Sequence, residues 1–180
     1  MVRCYNKIEG VDTLKYIKLT KEDYLLYKEI RLELLKNNPA SFGSSYEDEL
    51  KFEKKIWIDR LAKKHVHTLG AFSKELLVGI VVLVISPRTK MKHIGTINSM
   101  YVKPAYRQKG IAIELLDFAE RTALEQGIER LNLTVVTKNT EAHNLYKASG
   151  FNDYGIEPGV IKYNNKCFDL QIMSKKIKDS

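Results

Sequence analysis

The chain has 180 residues, a length typical of one domain whose core needs neither disulfides nor a structural metal. Hydrophobic residues make up 44% of the chain and charged residues 29%, which are ordinary globular values. The net charge of +8 comes from lysines spread along the chain, without a basic helix interleaved with aromatic residues. The charge therefore favours a solvated surface over a nucleic-acid-binding one, although anionic small molecules would feel its field.

The cysteines favour a reducing compartment, and the apolar runs favour a protein without a secretory signal or a membrane span. The two cysteines, Cys4 and Cys167, stand far apart and in no metal-binding spacing, so we expect neither a disulfide nor a zinc site. Residues 1–10 lack the apolar run of a secretory signal. The longest apolar run, residues 76–85, is too short to cross a bilayer, and its valines and isoleucines predict a buried strand. We expect a cytoplasmic protein without a membrane partner.

Hydrophobic periodicity and turn residues predict two helices and a hairpin in the first half of the chain. In chain order we expect a strand at 16–20, a helix stopped at 37–39, a polar loop at 41–45, a helix at 46–63, hairpin strands at 68–72 and 76–85, and a strand at 94–102.

The second half alternates helices and strands. We expect a helix from Ile111 to Gly127, a strand at 131–136, a helix at 140–149, and strands at 160–163 and 167–174. A strand–helix–strand–helix order requires crossover connections and hence some parallel pairing. We therefore predict an α/β (α+β) fold, with a single mixed sheet and helices on both faces.

A strand-to-helix turn after Pro104 has the features of a phosphate site. Gly110 opens a long amphipathic helix, where several backbone N–H groups lack an internal partner and the helix dipole is positive. A glycine there lets an anion approach the backbone, and Arg107 and Lys109 add positive charge. The turn matches neither GxGxxG nor GxxxxGK[ST]. Taken alone, it is also what any helix with a glycine near its start and exposed basic residues presents.

Two motifs in this half together resemble the GNAT N-acetyltransferase family. The first, V-x-P-x-x-[QR]-x-x-G-x-[GA], is present at Val102, Pro104, Arg107, Gly110 and Ala112. The second, N-x-x-A-x-x-L-Y-x-x-x-G-F, is complete at Asn139, Ala142, Leu145, Tyr146, Gly150 and Phe151. The resemblance implies a mostly antiparallel sheet with a splayed parallel strand pair, in a single domain over residues 1–180 with a shared core at about 68–174. It also implies acetyl-CoA (coenzyme A) as the acyl donor, without a metal.

In this family the donor lies beside the splayed strand. The resemblance implies that the pantetheine arm pairs with the backbone of Met100, Tyr101 and Val102, much as an added strand would. It also implies that the pyrophosphate lies on the backbone N–H groups of the turn, while an N–H of the splayed strand holds the oxyanion. The cofactor-binding residues implied for the turn are Arg107, Gln108, Lys109, Gly110, Ile111, Ala112 and Ile113.

Asn139 and Tyr146 carry the side-chain roles that the resemblance implies for the second motif. Asn139 is placed to bond the pantetheine, but an asparagine there is equally suited to cap the helix that follows. Tyr146 is implied as the catalytic acid, since a phenol of pKa ~10 is protonated at neutral pH and reasonably matched to a thiol of ~8.5. The alternative is a core tyrosine packed under the sheet.

The acceptor amine must lose protons, and many relatives place a glutamate on the splayed strand for this purpose. Residues 97–100 contain no carboxylate here. Glu47, Asp48 and Glu49 are remote candidates that would act through water, although each is also explained as a solvated helix residue.

Two segments are expected to flank the acceptor site. One is the loop at residues 38–46, and the other lies within an E-P-x-x-x-K pattern at Glu157, Pro158 and Lys162 with Asp169, which resembles a bacterial subset of the family. The expected function is acetyl transfer to a primary amine of a small molecule or a peptide by direct attack in a ternary complex, with a homodimer as an option. A non-catalytic acyl-CoA-binding sensor is the alternative that the missing strand carboxylate favours. A nucleic-acid-binding module rests on charge alone.

Overall fold

A mixed seven-stranded sheet is the frame of the protein in the computed structural model, which describes residues 14–178. The strands are β1 Leu14–Lys18, β2 Val66–Ser73, β3 Leu76–Ile85, β4 Ile94–Val102, β5 Arg130–Val136, β6 Asn152–Tyr163 and β7 Lys166–Lys176. Their order is β1-β2-β3-β4-β5-β7-β6, and among these strands only β4 and β5 pair in parallel. Cys4 and residues 1–10, which lack a secretory-signal pattern, lie outside the described part of the chain.

Helices cover both faces of the sheet. They are α1 Tyr24–Asn37, α2 Tyr46–Leu50, α3 Lys54–Ala62, α4 Ile111–Glu125 and α5 Thr140–Ala148. One core contains Leu34 of α1, and the other contains Leu115 of α4. β3 is apolar throughout because successive side chains, such as Ile80 and Val81, point into these two separate cores. The predicted fold is confirmed, and no helix within residues 14–178 is long and apolar enough to span a membrane.

The helix predicted over residues 46–63 is two helices, so this prediction was wrong. α2 and α3 are separated at residues 51–53, where Glu53 is extended with ψ at 157°. The indole N–H of Trp57 donates to the backbone carbonyl of Phe52 at 3.2 Å, and the two rings pack with centroids 5.8 Å apart. The break between α2 and α3 is therefore stabilised by Trp57, which is buried and contacts Phe52 within the break.

The strand predicted at residues 160–163 begins much earlier, at Asn152, and the first strand begins two residues earlier than predicted. Residues 152–159 mix three polar residues with Pro158 and two glycines, so they show no sustained alternation of apolar and polar side chains. They form an edge strand because β7 offers partners to β6 on both sides of an irregular stretch at residues 158–160, with a further register shift at residues 153–155. Proline and glycine are tolerated at such edges and bulges.

A buried ion cluster joins the first three helices. Glu49 of α2 accepts hydrogen bonds from Arg31 of α1 at 2.8 and 3.0 Å and from Arg60 of α3 at 2.8 Å. The Glu49 side chain is only 1% exposed, so its interpretation as a solvated residue was wrong, whereas Glu47 and Asp48 are exposed. Burial alone would raise the pKa of Glu49, but hydrogen bonds and charges from both arginines lower it to about 2.

Glu49→Gln should destabilise the protein at neutral pH because it leaves the buried Arg31 and the half-buried Arg60 without their carboxylate, a loss of typically ~3–5 kcal/mol for a buried pair. The pKa is about 2 in the folded protein against an ordinary value of 4.5, so the stabilisation is complete above pH 4.5 and is lost as the pH falls towards 2. Denaturant unfolding of both proteins at neutral pH and at about pH 3 measures this effect.

The matched control is Glu47→Gln, an exposed neighbour on the same helix, which should change the unfolding free energy by less than ~0.5 kcal/mol. The difference in unfolding free energy between the wild type and Glu49→Gln should become smaller at acidic pH. A difference that does not change with pH would contradict the lowered pKa of Glu49.

Candidate functional site

β4 and β5 part after a short stretch of pairing. Their parallel register covers three positions, from Ile94 opposite Arg130 to Thr96 opposite Asn132. Beyond that point β4 has partners in β3 alone, at residues 97, 98, 101 and 102, while β5 continues to pair with β7. The sheet therefore contains a gap in which the backbone edge of β4 has no strand partner. This gap is the splayed parallel pair that the motifs implied.

A bulge at Ser99 accompanies the parting of the strands. Ser99 has φ at 52°, in the left-handed region, and the register with β3 shifts between Ile80 and Val82. A bulge bends its strand, increases the local twist and ends regular pairing. The sequence contains no signal for this bulge, because serine has no marked preference for a left-handed conformation. Met100, Tyr101 and Val102 follow directly, and so occupy the free stretch of β4.

The start of α4 offers a row of unpaired backbone donors. None of the six consecutive N–H groups from Gln108 to Ile113 donates to a backbone carbonyl within residues 14–178. Gln108 and Gly110 have φ at 59° and 77°, and alternation of left-handed and right-handed residues forms a concave nest that binds anions. A Cβ on Gly110 would meet nothing within 4 Å, so the nest is open. The positive end of the α4 dipole adds to the attraction.

Two basic side chains flank this nest, both on exposed residues. Arg107 donates from Nε to the carbonyl of Val102 at 3.1 Å and lies 5.8 Å from the ring centroid of Tyr101. It thus ties the turn to the end of β4. The Lys109 ammonium lies 5.1 Å from the ring centroid of Tyr106. Behind them Ile111 is buried in the core, Ala112 is half-buried and Ile113 is exposed.

Asn139 caps α5, as one of the two alternatives predicted. Its Oδ1 accepts a hydrogen bond from the backbone N–H of Ala142 at 3.1 Å. The capping oxygen satisfies an orphan donor of the first helical turn. The side-chain N–H groups make no hydrogen bond within residues 14–178 and are free to donate to a ligand.

Tyr146 lies on α5 with its ring in the core beneath the sheet. It is 7% exposed and packs edge-to-face against Phe151, with ring centroids 6.0 Å apart. Burial raises its pKa to about 12. The phenol is therefore protonated throughout the physiological range, which suits a hydrogen-bond donor.

The two segments expected to flank the acceptor site meet in one cleft. Its volume is about 250 Å³, and its lining includes Lys36, Phe42, Tyr46, Glu47, Val160 and Lys162. Asp48 does not line it, and its carboxylate accepts a hydrogen bond from the Ser45 hydroxyl at 2.7 Å. Asp169 accepts a hydrogen bond from the Gly159 N–H at 2.8 Å and so holds the irregular part of β6. Glu157 and Pro158 are exposed on that strand.

A second network between α1 and β4 was not predicted. The Tyr101 hydroxyl donates to Glu33 at 2.9 Å and accepts from the Asn37 side chain at 3.0 Å, while Lys103 pairs with the same Glu33. The partners are 64 to 70 residues apart in sequence, so no local pattern indicates them. The network fastens the end of the free strand segment to the C-terminal half of α1.

The gap, the bulge and the glycine-opened nest follow one another along the chain from β4 into α4, an arrangement that places the fold in the acyl-CoA N-acyltransferase class. Residues 28–151 match the family model described as the acetyltransferase (GNAT) family, and the chain belongs to this family.

Among curated proteins, a streptothricin acetyltransferase from Escherichia coli is 33% identical over 88 residues, which are 49% of this chain and 48% of that protein. The chain spans about half the length of the curated relatives it matches. A GNAT-family acetyltransferase structure from Streptococcus pneumoniae superposes with a TM-score of 0.79 at 24% identity, covering 92% of this chain and 99% of that chain. The structure of yncA from Salmonella typhimurium with its cofactor acetyl-CoA has a TM-score of 0.78 at 16% identity, covering 93% and 96%. These two structures show the fold.

Proposed function

We propose that the protein transfers an acetyl group from acetyl-CoA to a primary amine by direct attack in a ternary complex. The observation that carries this proposal is the gap between β4 and β5, which leads along the chain to six unpaired backbone N–H groups at the start of α4. A strand edge without a partner suits the amides of pantetheine, and a nest at a helix N-terminus suits a pyrophosphate. A fold neighbour, yncA, was solved with acetyl-CoA. We also propose a single-domain, cytoplasmic enzyme.

The donor would be held mainly by backbone groups. Met100, Tyr101 and Val102 supply the strand edge, and residues 108–113 supply N–H donors for the phosphates. The side chains of Arg107 and Lys109 add charge, and the free amide of Asn139 donates to the pantetheine. No cluster of metal-binding side chains occurs within residues 14–178, and the proposed steps use none.

In the proposed chemistry the amine nitrogen forms a bond to the acetyl carbon, the carbon–sulfur bond breaks, and the sulfur leaves as a thiolate. A backbone N–H of β4 stabilises the oxyanion, and the Tyr146 phenol donates to the sulfur. Glu49 is unsuited to accept a proton at neutral pH, since both arginines hold its pKa at about 2. Glu47, an exposed carboxylate in the cleft, is the better-placed candidate to relay the amine proton through water.

Gly110→Glu should abolish the rise in melting temperature that coenzyme A causes in the wild type. A ligand that binds only the native state stabilises it by mass action, and the substitution places a negative charge at the phosphate nest. Gly127→Glu is a matched control, because Gly127 also has a positive φ, 75°, and open space around its Cβ, but lies at the other end of α4. A full ligand-induced shift in Gly110→Glu would place the pyrophosphate elsewhere.

Tyr146→Phe should lower the single-turnover rate of acetyl transfer by ~10²-fold or more, while the KM for acetyl-CoA and the melting temperature change little. The ring and its packing on Phe151 are retained, and only the donated proton is lost. The raised pKa of about 12 keeps the phenol protonated, so the wild-type rate should not fall through its ionisation below about pH 11.

The control for this substitution is Tyr16→Phe. Burial, with a contribution from the nearby Glu114 charge, raises the Tyr16 pKa to about 12 as well, but Tyr16 lies on β1 at the far edge of the sheet.

Coenzyme A binding without turnover of any amine by the wild type would instead support the sensor alternative. Near-wild-type rates for Tyr146→Phe would remove its catalytic role.

Val160→Glu should change the order of preference among amine acceptors and leave the KM for acetyl-CoA unchanged. Val160 is 44% exposed and lines the cleft, and segments carried on a rigid scaffold commonly set specificity. Ile156→Glu introduces the same charge on the same strand, at a residue that is 60% exposed and outside the cleft lining. A competition assay with several amines compares the two variants, and an equal effect of both would argue against this acceptor site.

A further inference from the structure

Arg31 contacts both halves of the proposed active site from a buried position. It lies on α1 and is 7% exposed, with its guanidinium fixed by two hydrogen bonds to Glu49 at 2.8 and 3.0 Å. The remaining terminal nitrogen, Nη1, donates to the Ser99 hydroxyl at 2.9 Å. A planar guanidinium that is held on one side by a carboxylate presents its other donor in a defined direction.

Ser99 needs such support because of its backbone. Its φ of 52° belongs to a conformation that residues with a Cβ rarely adopt, and such conformations persist only when the surrounding structure imposes them. Glycine or asparagine would adopt this conformation more readily than serine does. The hydroxyl of Ser99 offers an acceptor to Arg31 that glycine would lack. The contact thus joins α1 to the bulge immediately before Met100.

The other neighbour of Arg31 belongs to the acceptor cleft. The guanidinium carbon lies 5.8 Å from the ring centroid of Phe42, on the connection between α1 and α2, and Phe42 lines the cleft. A single buried cation therefore touches the strand that would hold the acyl donor and the connection that would hold the amine. Arg60, which also binds Glu49, shows no hydrogen bond to β4 among the described residues.

We propose that Arg31, oriented by Glu49, is a positioning residue that sets the Ser99 bulge and the Phe42 side of the acceptor cleft relative to each other. This inference rests on the proposed acetyl transfer. An error of ~1 Å in the approach of two reacting groups can cost ~10²-fold in rate, so a rigid link between the two binding surfaces would affect the chemical step more than binding of either substrate. Arg31 acts through Ser99 and Phe42 and need not touch the reacting atoms.

Three variants test the link, with single-turnover acetyl transfer and the KM values of both substrates as the measurements. Ser99→Ala removes the acceptor of the Arg31 hydrogen bond and keeps the ion cluster, so we expect a rate loss of ~10-fold or more with the KM for acetyl-CoA within about twofold. Ser99→Asn keeps an acceptor oxygen and tolerates a positive φ, so it should recover part of that loss. Arg31→Lys should also raise the acceptor KM, because an ammonium cannot keep the forked contacts.

Arg60→Lys is the matched control within the same ion cluster. It should lower the melting temperature while the rate remains within about twofold of the wild type, because the hydrogen bonds of Arg31 to Glu49 and Ser99 are retained. Rate losses in Arg60→Lys as large as those in Ser99→Ala would overturn the proposal and assign the cluster to stability alone. A wild-type rate in Ser99→Ala would overturn it as well.

Amide hydrogen exchange of residues 98–101 separates failure of this inference from failure of the proposed function. Exchange there should become faster in Ser99→Ala and Arg31→Lys than in Arg60→Lys, whether or not the enzyme turns over the amines supplied. A wild type that binds coenzyme A but acetylates no amine would refute the proposed function and leave this comparison valid. Equal exchange in all the variants would refute the role of Arg31 at the bulge.

Discussion

Backbone N–H and C=O groups inside a sheet need hydrogen-bonding partners. Along the edge that faces β5, β4 has no strand partner beyond Thr96. The rest of the molecule is arranged around this gap. β3 pairs with the other edge of β4, and β7 pairs with the far edge of β5, so both strands are held while the space between them stays open. A sheet without the Ser99 bulge could continue its ladder, and the edge available to an extended ligand would then be lost.

Helix α1 supports the free segment of β4 at two places. Arg31 reaches the bulge at Ser99, and Glu33 and Asn37 reach the hydroxyl of Tyr101 near the end of the strand. Buried ion pairs add little net stability because desolvation offsets much of their attraction, but they are costly to break singly. In this protein Glu49 holds the guanidinium of Arg31 in the orientation that reaches Ser99. We therefore expect the cluster to matter more for the geometry of the bulge than for the net stability of the fold.

Helices α1 and α4 contribute to different parts of the proposed site because they pack in different cores, on opposite faces of the sheet. α4 packs on one face and begins at the open nest, so it presents backbone donors and basic residues to an anion. The end of α1, the connection that follows it, the start of α2 and the end of β6 form the cleft, whose lining mixes lysines, a glutamate and apolar side chains. Both helix layers pack on β3, and α1 also reaches the neighbouring strand β4 through Arg31, Glu33 and Asn37, so the proposed donor and acceptor would meet beside β4.

Local chemistry was readable from the sequence because its causes are local. The glycine at 110, the cap at Asn139 and the apolar run of β3 depend on residues a few positions apart, and both motifs predicted the family and the fold. Tertiary packing alone decided the rest. Glu49 lies 18 residues from Arg31, and Ser99 lies 68 residues from it, so neither the buried cluster nor the bulge has a signature in a short window. The break before α3 and the full length of β6 likewise depend on Trp57 and β7, which supply burial and hydrogen bonds that the local pattern does not contain.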